Sequence, residues 1–579
     1  MTERLVVVFA GVFLFARCFI GADLRDGAYA LVLTRRIAAG ARPLVDEMSL
    51  HVLGALPAVP FVALWRTLAG DFGLVLAYRM FSAAFIALLL VISARALRGL
   101  VSSLAATIAV ASVSLAPPYS LVVTNYNSVG MTCLVLAVCA TFRALARSDR
   151  RWAAVASSAA TFATFAFPSL VLGTAPLLIV LAVGMWKRTR SLSATALCVG
   201  LPSAALVGLL GPYVIAAGVA SAWQTVVFNA TMRPGTGSVA SLTSLFRWYG
   251  DFFFSIGKVQ LALAFCALAA ALTKPVPRLV ALLPVPLLLA WYSAKSPSPN
   301  TLNIDAGTYP AAMAVLLTVS LAPMAIRAAV GDKQYRLFLL IASIAIPAAI
   351  GVQATSASGF DFGVAFVGLA PLFLAVCVGF AEAVGDGGDA TCRLSALGQR
   401  IVALTPLPCL LLCSLMVVFN EGPMLQHRAL IRHGPAAGLF AADISRMAHA
   451  KAENLAAECP VGSRALAITL PGVYLFLPPH SAAPASWIAV DTLPAFLPEL
   501  ERRRPDCVIA PPGDSFTIRS DYDERERARM QAGLEAQKRL LRRYQPAGPE
   551  RLVDEAPVQG KHILRTYVRR SDDDTHAVI

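Results

Sequence analysis

Asp23, Arg25, Asp26, Arg35, Arg36, Arg42, Asp46, Glu47 and His51 lie between positions 23 and 51 of a 579-residue chain in which only 14% of residues are charged. Two kinds of chemistry need this mixture. A carboxylate accepts a proton from an attacking hydroxyl, and partial removal from water raises its basicity. Arginines hold phosphate oxygens bidentately and neutralise the charge that develops on a phosphate leaving group. Together they suit glycosyl or phosphoryl transfer from a phosphate-bearing donor. Asp26 and Asp46 are among the candidate carboxylates, and Arg36 and Arg42 among the candidate phosphate ligands. Asp23, Tyr29, Glu47 and His51 complete the pocket.

The elements that must position these residues are set by composition. The chain is 57% hydrophobic with a mean hydropathy of +0.67, which excludes an ordinary soluble globular protein. The net charge of +15 does not point to nucleic acid, because the arginines gather in short clusters between apolar runs, as they do at membrane surfaces. Nine of the eleven cysteines sit in or beside apolar segments and read as small packing residues; Cys459 and Cys507 fall in polar sequence, where an oxidising compartment would allow a disulfide. The chain carries no Walker loop, no GxGxxG opening a helix after a strand, and no zinc-ligand spacing.

A spanning helix needs about 20 mainly apolar residues. Segments 4–20, 74–94, 102–118, 126–145, 152–167, 169–186, 192–217, 258–273, 279–292, 310–326, 336–351, 363–383 and 401–419 meet or approach this, which predicts a polytopic α-helical membrane protein with about thirteen spans and an uncleaved first helix. With a cytoplasmic N-terminus, the connections 95–98, 143–151, 187–190, 274–278, 327–336 and 393–400 face inward, and each carries at least two Lys or Arg. The opposite connections 117–125, 168 and 353–362 carry none. That is the positive-inside pattern, and it puts the charged first loop (21–72) and everything after about 420 outside. Within the first loop, 28–39 reads as an amphipathic helix with Arg35 and Arg36 on its polar side; 50–68 reads as an apolar helix with Pro57 and Pro60. Both suit the membrane interface; the second has a competing reading as a further span, which would place every Arg cluster outside. Residues 421–579 read as a soluble α/β or α+β domain, with strands near 465–470, 473–477, 486–490 and 507–510 and helices over 436–457 and 523–544.

An outer first loop with Asp26 three residues before Tyr29, a helix running to Gly40 and Pro43, a second acid at Asp46, and then a Pro-containing apolar helix resembles the membrane-embedded glycosyltransferases of the GT-C superfamily. That group includes protein O-mannosyltransferases, aminoarabinose transferases and arabinofuranosyltransferases. The resemblance covers residues 1–190 in pattern and hydropathy layout beyond. It implies an inverting hexosyl- or pentosyltransferase of a bacterial plasma membrane, using a polyprenyl-phosphate sugar and an acceptor in the cell envelope, with Asp26 as the first-loop acid, Tyr29 as its aromatic neighbour and Asp46 as the second acid. No cofactor is required; a divalent metal such as Mg²⁺ is compatible with carboxylates and phosphate oxygens. Where many relatives carry Asp-Glu, this chain has Asp26-Gly27, so Asp23 or Glu47 would supply the missing carboxylate.

Further candidates each have a plainer reading. Lys295, the only cation of 293–309, could bind the donor phosphate or simply be solvated. Tyr126 and Asn127, after an uncharged outer turn, could line a sugar pocket or only begin a helix. Arg17, near the end of the first span, could be functional or reach the surface. The Arg-rich stretch 519–543 reads as a solvated helix. The competing function is a transporter or flippase of a lipid-linked saccharide, a class that commonly shows paired halves around a midplane site; here the charges gather at one outer surface and no repeat is visible.

Overall fold

Runs of Ala, Leu, Val and Phe without interior breaks become helices, and polar residues at their ends supply the missing hydrogen bonds. The computed structural model describes residues 2–118, 121–208, 223, 225, 309–355, 362–385, 400, 403–416, 421, 424–479, 481–512, 524–556 and 560–570. The chain divides into two compact units: Met1–Cys18, Ser82–Gly211 and Gly235–Leu425 form one, and Phe19–Phe81, Pro212–Pro234 and Gln426–Ile579 the other. The helices up to residue 189 are α1 (Thr2–Arg17), α2 (Asp26–Ala38), α3 (Val59–Ala69), α4 (Leu74–Leu97), α5 (Ser103–Ser114), α6 (Tyr126–Arg147), α7 (Arg150–Ala166) and α8 (Val171–Thr189).

The first unit is helical. Asn125 starts α6 by accepting from the Ser128 amide at 2.9 Å, and Asp149 starts α7 by accepting from Arg151 at 2.9 Å. The α6–α7 hairpin packs beside α8, and helix Tyr309–Gly331 lies against Phe362–Gly385. Close helix approach relies on small residues: a Cβ at Gly368 would collide with the backbone of Ala348 and Ala349. Large apolar side chains also cover the outside, among them Leu5, Val8 and Val12 of α1, Leu88 and Val91 of α4, and Ile179, Val180 and Val183 of α8, all more than a third exposed. A surface of this kind belongs in lipid.

Among the described residues, seven segments are long and apolar enough to cross a membrane: His51–Ala69, Leu74–Leu97, Tyr126–Arg147, Pro168–Thr189, Pro310–Gly331, Lys333–Thr355 and Gly363–Val384. Six of them coincide with expected spans. The seventh is the segment expected to lie in the interface. Helix α1, at 16 residues, and the apolar helices Ser103–Ser114, Leu192–Gly208 and Pro406–Leu415 are shorter, while the expected spans 258–273 and 279–292 lie outside the described residues.

The second unit joins the charged first loop to the C-terminal segment. It carries a two-stranded ribbon, β1 (Ala429–Leu430) with β2 (Phe440–Ala441), and a sheet of β3 (Ala465–Ala467), β4 (Cys507–Ala510), β5 (Tyr544–Pro546), β6 (Arg551–Ala556) and β7 (Gly560–Arg569). The sheet runs β3-β4-β7-β5 with β6 also on β7. Only β3 and β4 are parallel, so the expected α/β or α+β domain is a mixed sheet with helices Asp443–Ala457, Leu493–Arg503 and Glu524–Leu541. Two expected strands are replaced. Residues 473–477 begin inside a 3₁₀ helix, Pro471–Leu475, because the Gly472 amide donates to Leu24 O at 2.7 Å instead of entering a ladder. Residues 486–490 form a loop because the Ser486 amide donates to Glu47. The helix expected from 436 starts at Asp443, after Gly434 and Gly438 turn the chain with φ of +68° and +88°. The first-loop helix is also not an interfacial one: Gly27 to Ile37 are all buried.

Cys459 and Cys507 form a disulfide that ties the end of helix Asp443–Ala457 to β4 across 48 residues of sequence. The other described cysteines are buried and unbridged, in keeping with their reading as packing residues. Closing a loop of that length removes about 4 kcal/mol of unfolded-state entropy. Cys459→Ser should therefore lower the unfolding midpoint of the C-terminal region in a denaturant titration, and reductant should shift the wild type equally while leaving the variant unmoved.

Candidate functional site

The first-loop chemistry is organised by α2. Asp23 precedes the helix and satisfies its free amides, accepting from Arg25 N at 3.0 Å and Gly27 N at 2.8 Å. It is 9% exposed and lies two residues before the N-cap, Arg25. Asp26 is the first helical residue and is half-buried. Tyr29, one turn on and on the same face, is buried; its hydroxyl lies 3.1 Å from Ser49 Oγ and its ring centre 5.5 Å from that of Trp487. Asp23, Asp26, Tyr29, Ser49 and Trp487 are thus grouped around one end of α2.

At the other end, Arg35 and Arg36 are each 4% exposed. Consecutive helix positions point about 100° apart, and the two guanidiniums serve different partners. Arg35 holds Asp71 through Nη2 at 2.5 Å and Nε at 3.2 Å, and donates to the carbonyls of Tyr474 at 2.7 Å and Leu477 at 2.9 Å. Burial lowers its pKa from the usual arginine value, while the hydrogen bonds and charge of Asp71 oppose that shift. Asp71 is shared with Arg66 at 3.0 Å. Arg36 pairs with the fully buried Glu47 at 2.5 Å and donates to Asp46 O at 2.9 Å and Ala483 O at 2.6 Å. Glu47 in turn accepts from the amide and hydroxyl of Ser486 at 2.8 and 2.6 Å.

These contacts redistribute the expected roles. Arg36 and Glu47 neutralise each other inside the fold, because a charge so deeply buried is stable only when paired and hydrogen-bonded. Arg42 and Asp46 form a surface clamp at 3.0 Å, 57% and 31% exposed, in which the Arg42 amide also donates to Asp46 at 2.9 Å. Burial raises the Asp46 pKa, but the hydrogen bonds and charge of Arg42 outweigh it and hold the carboxyl below its usual range. His51 sits at the start of the 3₁₀ helix Leu50–Ala58, its amide donating to Ser49 Oγ. Tyr126 and Asn127 belong to the helical unit: Tyr126 stands edge-on to Phe167 at 5.1 Å, and Asn127 is 2% exposed. Lys295 lies outside the described residues. Among the described residues, no group of three or more His, Cys, Asp or Glu converges to hold a metal.

Ser486, Trp487 and Tyr474 carry no motif, and only the fold shows that they adjoin the first loop. Thr469 is a further such residue. Its φ is +87°, a left-handed conformation that a β-branched residue rarely adopts, and its amide donates to Ile488 O at 2.8 Å. No protein-family model matches this sequence, and no characterised protein is significantly similar to it.

Removing Glu47 strands the Arg36 guanidinium in the interior, so Glu47→Ala should cost about 3–5 kcal/mol. Asp46→Ala removes an exposed pair and should leave stability nearly unchanged. Thermal unfolding of the two variants in detergent checks the contrast.

Proposed function

We propose that the protein is a membrane glycosyltransferase that moves a sugar from a polyprenyl phosphate to an acceptor hydroxyl in the cell envelope, on the outer face of the membrane. The observation that carries this reading is Asp26, a half-buried carboxylate at the first turn of a buried helix, three residues before an aromatic ring, as in the GT-C superfamily that the first loop resembles. Asp26 accepts the proton of the acceptor hydroxyl as its oxygen attacks the anomeric carbon; the bond from that carbon to the phosphate oxygen breaks, and polyprenyl phosphate leaves with inversion of the sugar. With Arg36 committed to Glu47, Arg42 and Lys295 are the remaining expected phosphate ligands. About thirteen spans, with the C-terminal segment outside, complete the proposed architecture.

Three features support the sidedness. The Cys459–Cys507 disulfide suits an oxidising compartment. In the helical unit, basic residues collect at one end of the helices: Arg143 donates to Arg98 O, Arg147 to Gly99 O and Arg188 to Ser148, which suits a cytoplasmic surface. The segment His51–Ala69 starts and ends against the same region. Before it, the Met48 amide donates to Pro484 O at 2.8 Å; after it, the Gly73 and Val75 amides donate to Gly434 O and Pro435 O at 3.1 and 2.9 Å. Glu47 and Asp71, at its two ends, are held by neighbouring arginines of α2. A bilayer crossing would put those ends about 30 Å apart, so we infer that the segment bends along the interface, with Leu64 and Leu68 (57% and 76% exposed) toward lipid.

Asp26→Asn should reduce transfer by at least about a hundredfold, the scale of a lost general base, while polyprenyl-phosphate affinity and thermal stability hold. The assay uses the purified protein in lipid, labelled polyprenyl-phosphate sugars, and envelopes from cells lacking the protein as acceptor. Undiminished transfer by the variant would refute the assignment.

A further inference from the structure

The loop 481–490 has almost no regular structure, yet its backbone is fixed point by point. Ala483 O accepts from Arg36 at 2.6 Å, Pro484 O from Met48 N at 2.8 Å, Ile488 O from Thr469 N at 2.8 Å, and Ser486 N donates to Glu47 at 2.8 Å. Ser486 and Ile488 are fully buried, and between them Trp487 is half-buried. A loop held this firmly presents one side chain in a fixed direction without help from a ligand. The partner that holds Ile488, Thr469, sits at φ +87° with a hydroxyl that is buried and has no hydrogen-bond partner among the described residues. Such a conformation persists only where surrounding contacts impose it, and residues of this kind gather at ligand sites.

Ordinary core packing accounts for Trp487 less well. Trp487 is half-buried where its two neighbours are enclosed, and its ring centre lies 5.5 Å from that of Tyr29 at an interplanar angle of 59°. Tyr29 is one helical turn from Asp26 on the same face of α2. An aromatic face is electron-rich, and the weakly positive C–H groups on one side of a sugar ring lie favourably against it. We propose that Trp487, backed by Tyr29, is a sugar-binding platform beside Asp26, so that the C-terminal region supplies part of the site. The proposal rests on the glycosyltransferase reading for its ligand class, but its test does not require transfer.

The test uses the full-length protein in lipid nanodiscs, with 5-fluorotryptophan in place of tryptophan. The ¹⁹F resonance of Trp487 is the one that Trp487→Phe removes. It should shift saturably with the methyl glycosides of a hexose, a pentose or an N-acetylhexosamine, and not with glycerol. A shift that survives a saturating short-chain isoprenyl-phosphate glycoside assigns the platform to an acceptor sugar; a shift abolished by it assigns the platform to the donor sugar. In transfer assays, Trp487→Ala should raise KM about tenfold with kcat little changed, and Trp487→Phe should recover most of that loss. A resonance unmoved by every sugar, or moved equally by glycerol, overturns the platform. Asp26→Asn separates the two claims: if that variant transfers normally while the Trp487 resonance shifts, the catalytic reading fails and the platform stands; if it loses transfer while the resonance stays fixed, the platform fails alone.

Discussion

The fully buried Glu47, paired with Arg36 and bonded twice by Ser486, is the contact on which the second unit depends. A buried charge is costly without such partners. Arg36 and Glu47 come from the first loop, and Ser486 from a segment 439 residues further on. The neighbouring Arg35 repeats the arrangement with Asp71 and the carbonyls of Tyr474 and Leu477. Two adjacent arginines of one helix thereby hold both ends of the apolar segment 47–71 and two stretches of the C-terminal region. Removing either guanidinium would leave several buried carbonyls or a carboxylate unsatisfied, which costs more than the pair itself contributes.

This arrangement explains why the charges of the first loop are so concentrated. Arg35, Arg36 and Glu47 are internal struts at one end of α2; at the opposite end Asp23 accepts from the amides of Arg25 and Gly27, Asp26 opens the helix, and Tyr29 meets Trp487. The chemistry proposed for Asp26 asks for a carboxylate held in place by groups that do not themselves react.

Much of the helical layout was legible in the sequence because a bilayer demands long apolar runs, and six of the expected spans recur as helices able to cross it. The helix carrying Asp26 was legible as well, within a few residues of Asp26–Ala38. Its surroundings were not. A pair of arginines on a short helix reads as a polar face, since nothing local marks Asp71 or Glu47 as their partners. Ser486 and Trp487 lie in a stretch whose alternation resembles a strand, but there the Ser486 amide donates to Glu47 rather than to a neighbouring strand. The Cys459–Cys507 pairing depended on which side of the membrane those residues face, and a sequence states that only through the distribution of its arginines.

The central claim is that the first loop and the C-terminal region are one cooperative body locked through Arg36 and Glu47. Native-state hydrogen exchange of the intact protein tests it most directly. The amides of Met48, Gly472 and Ser486, each bonded across the two stretches, should lose protection together, with the same denaturant dependence, as a single unfolding unit. If the first-loop amide exchanges freely while those of the C-terminal region stay protected, the two stretches fold separately and the account is contradicted.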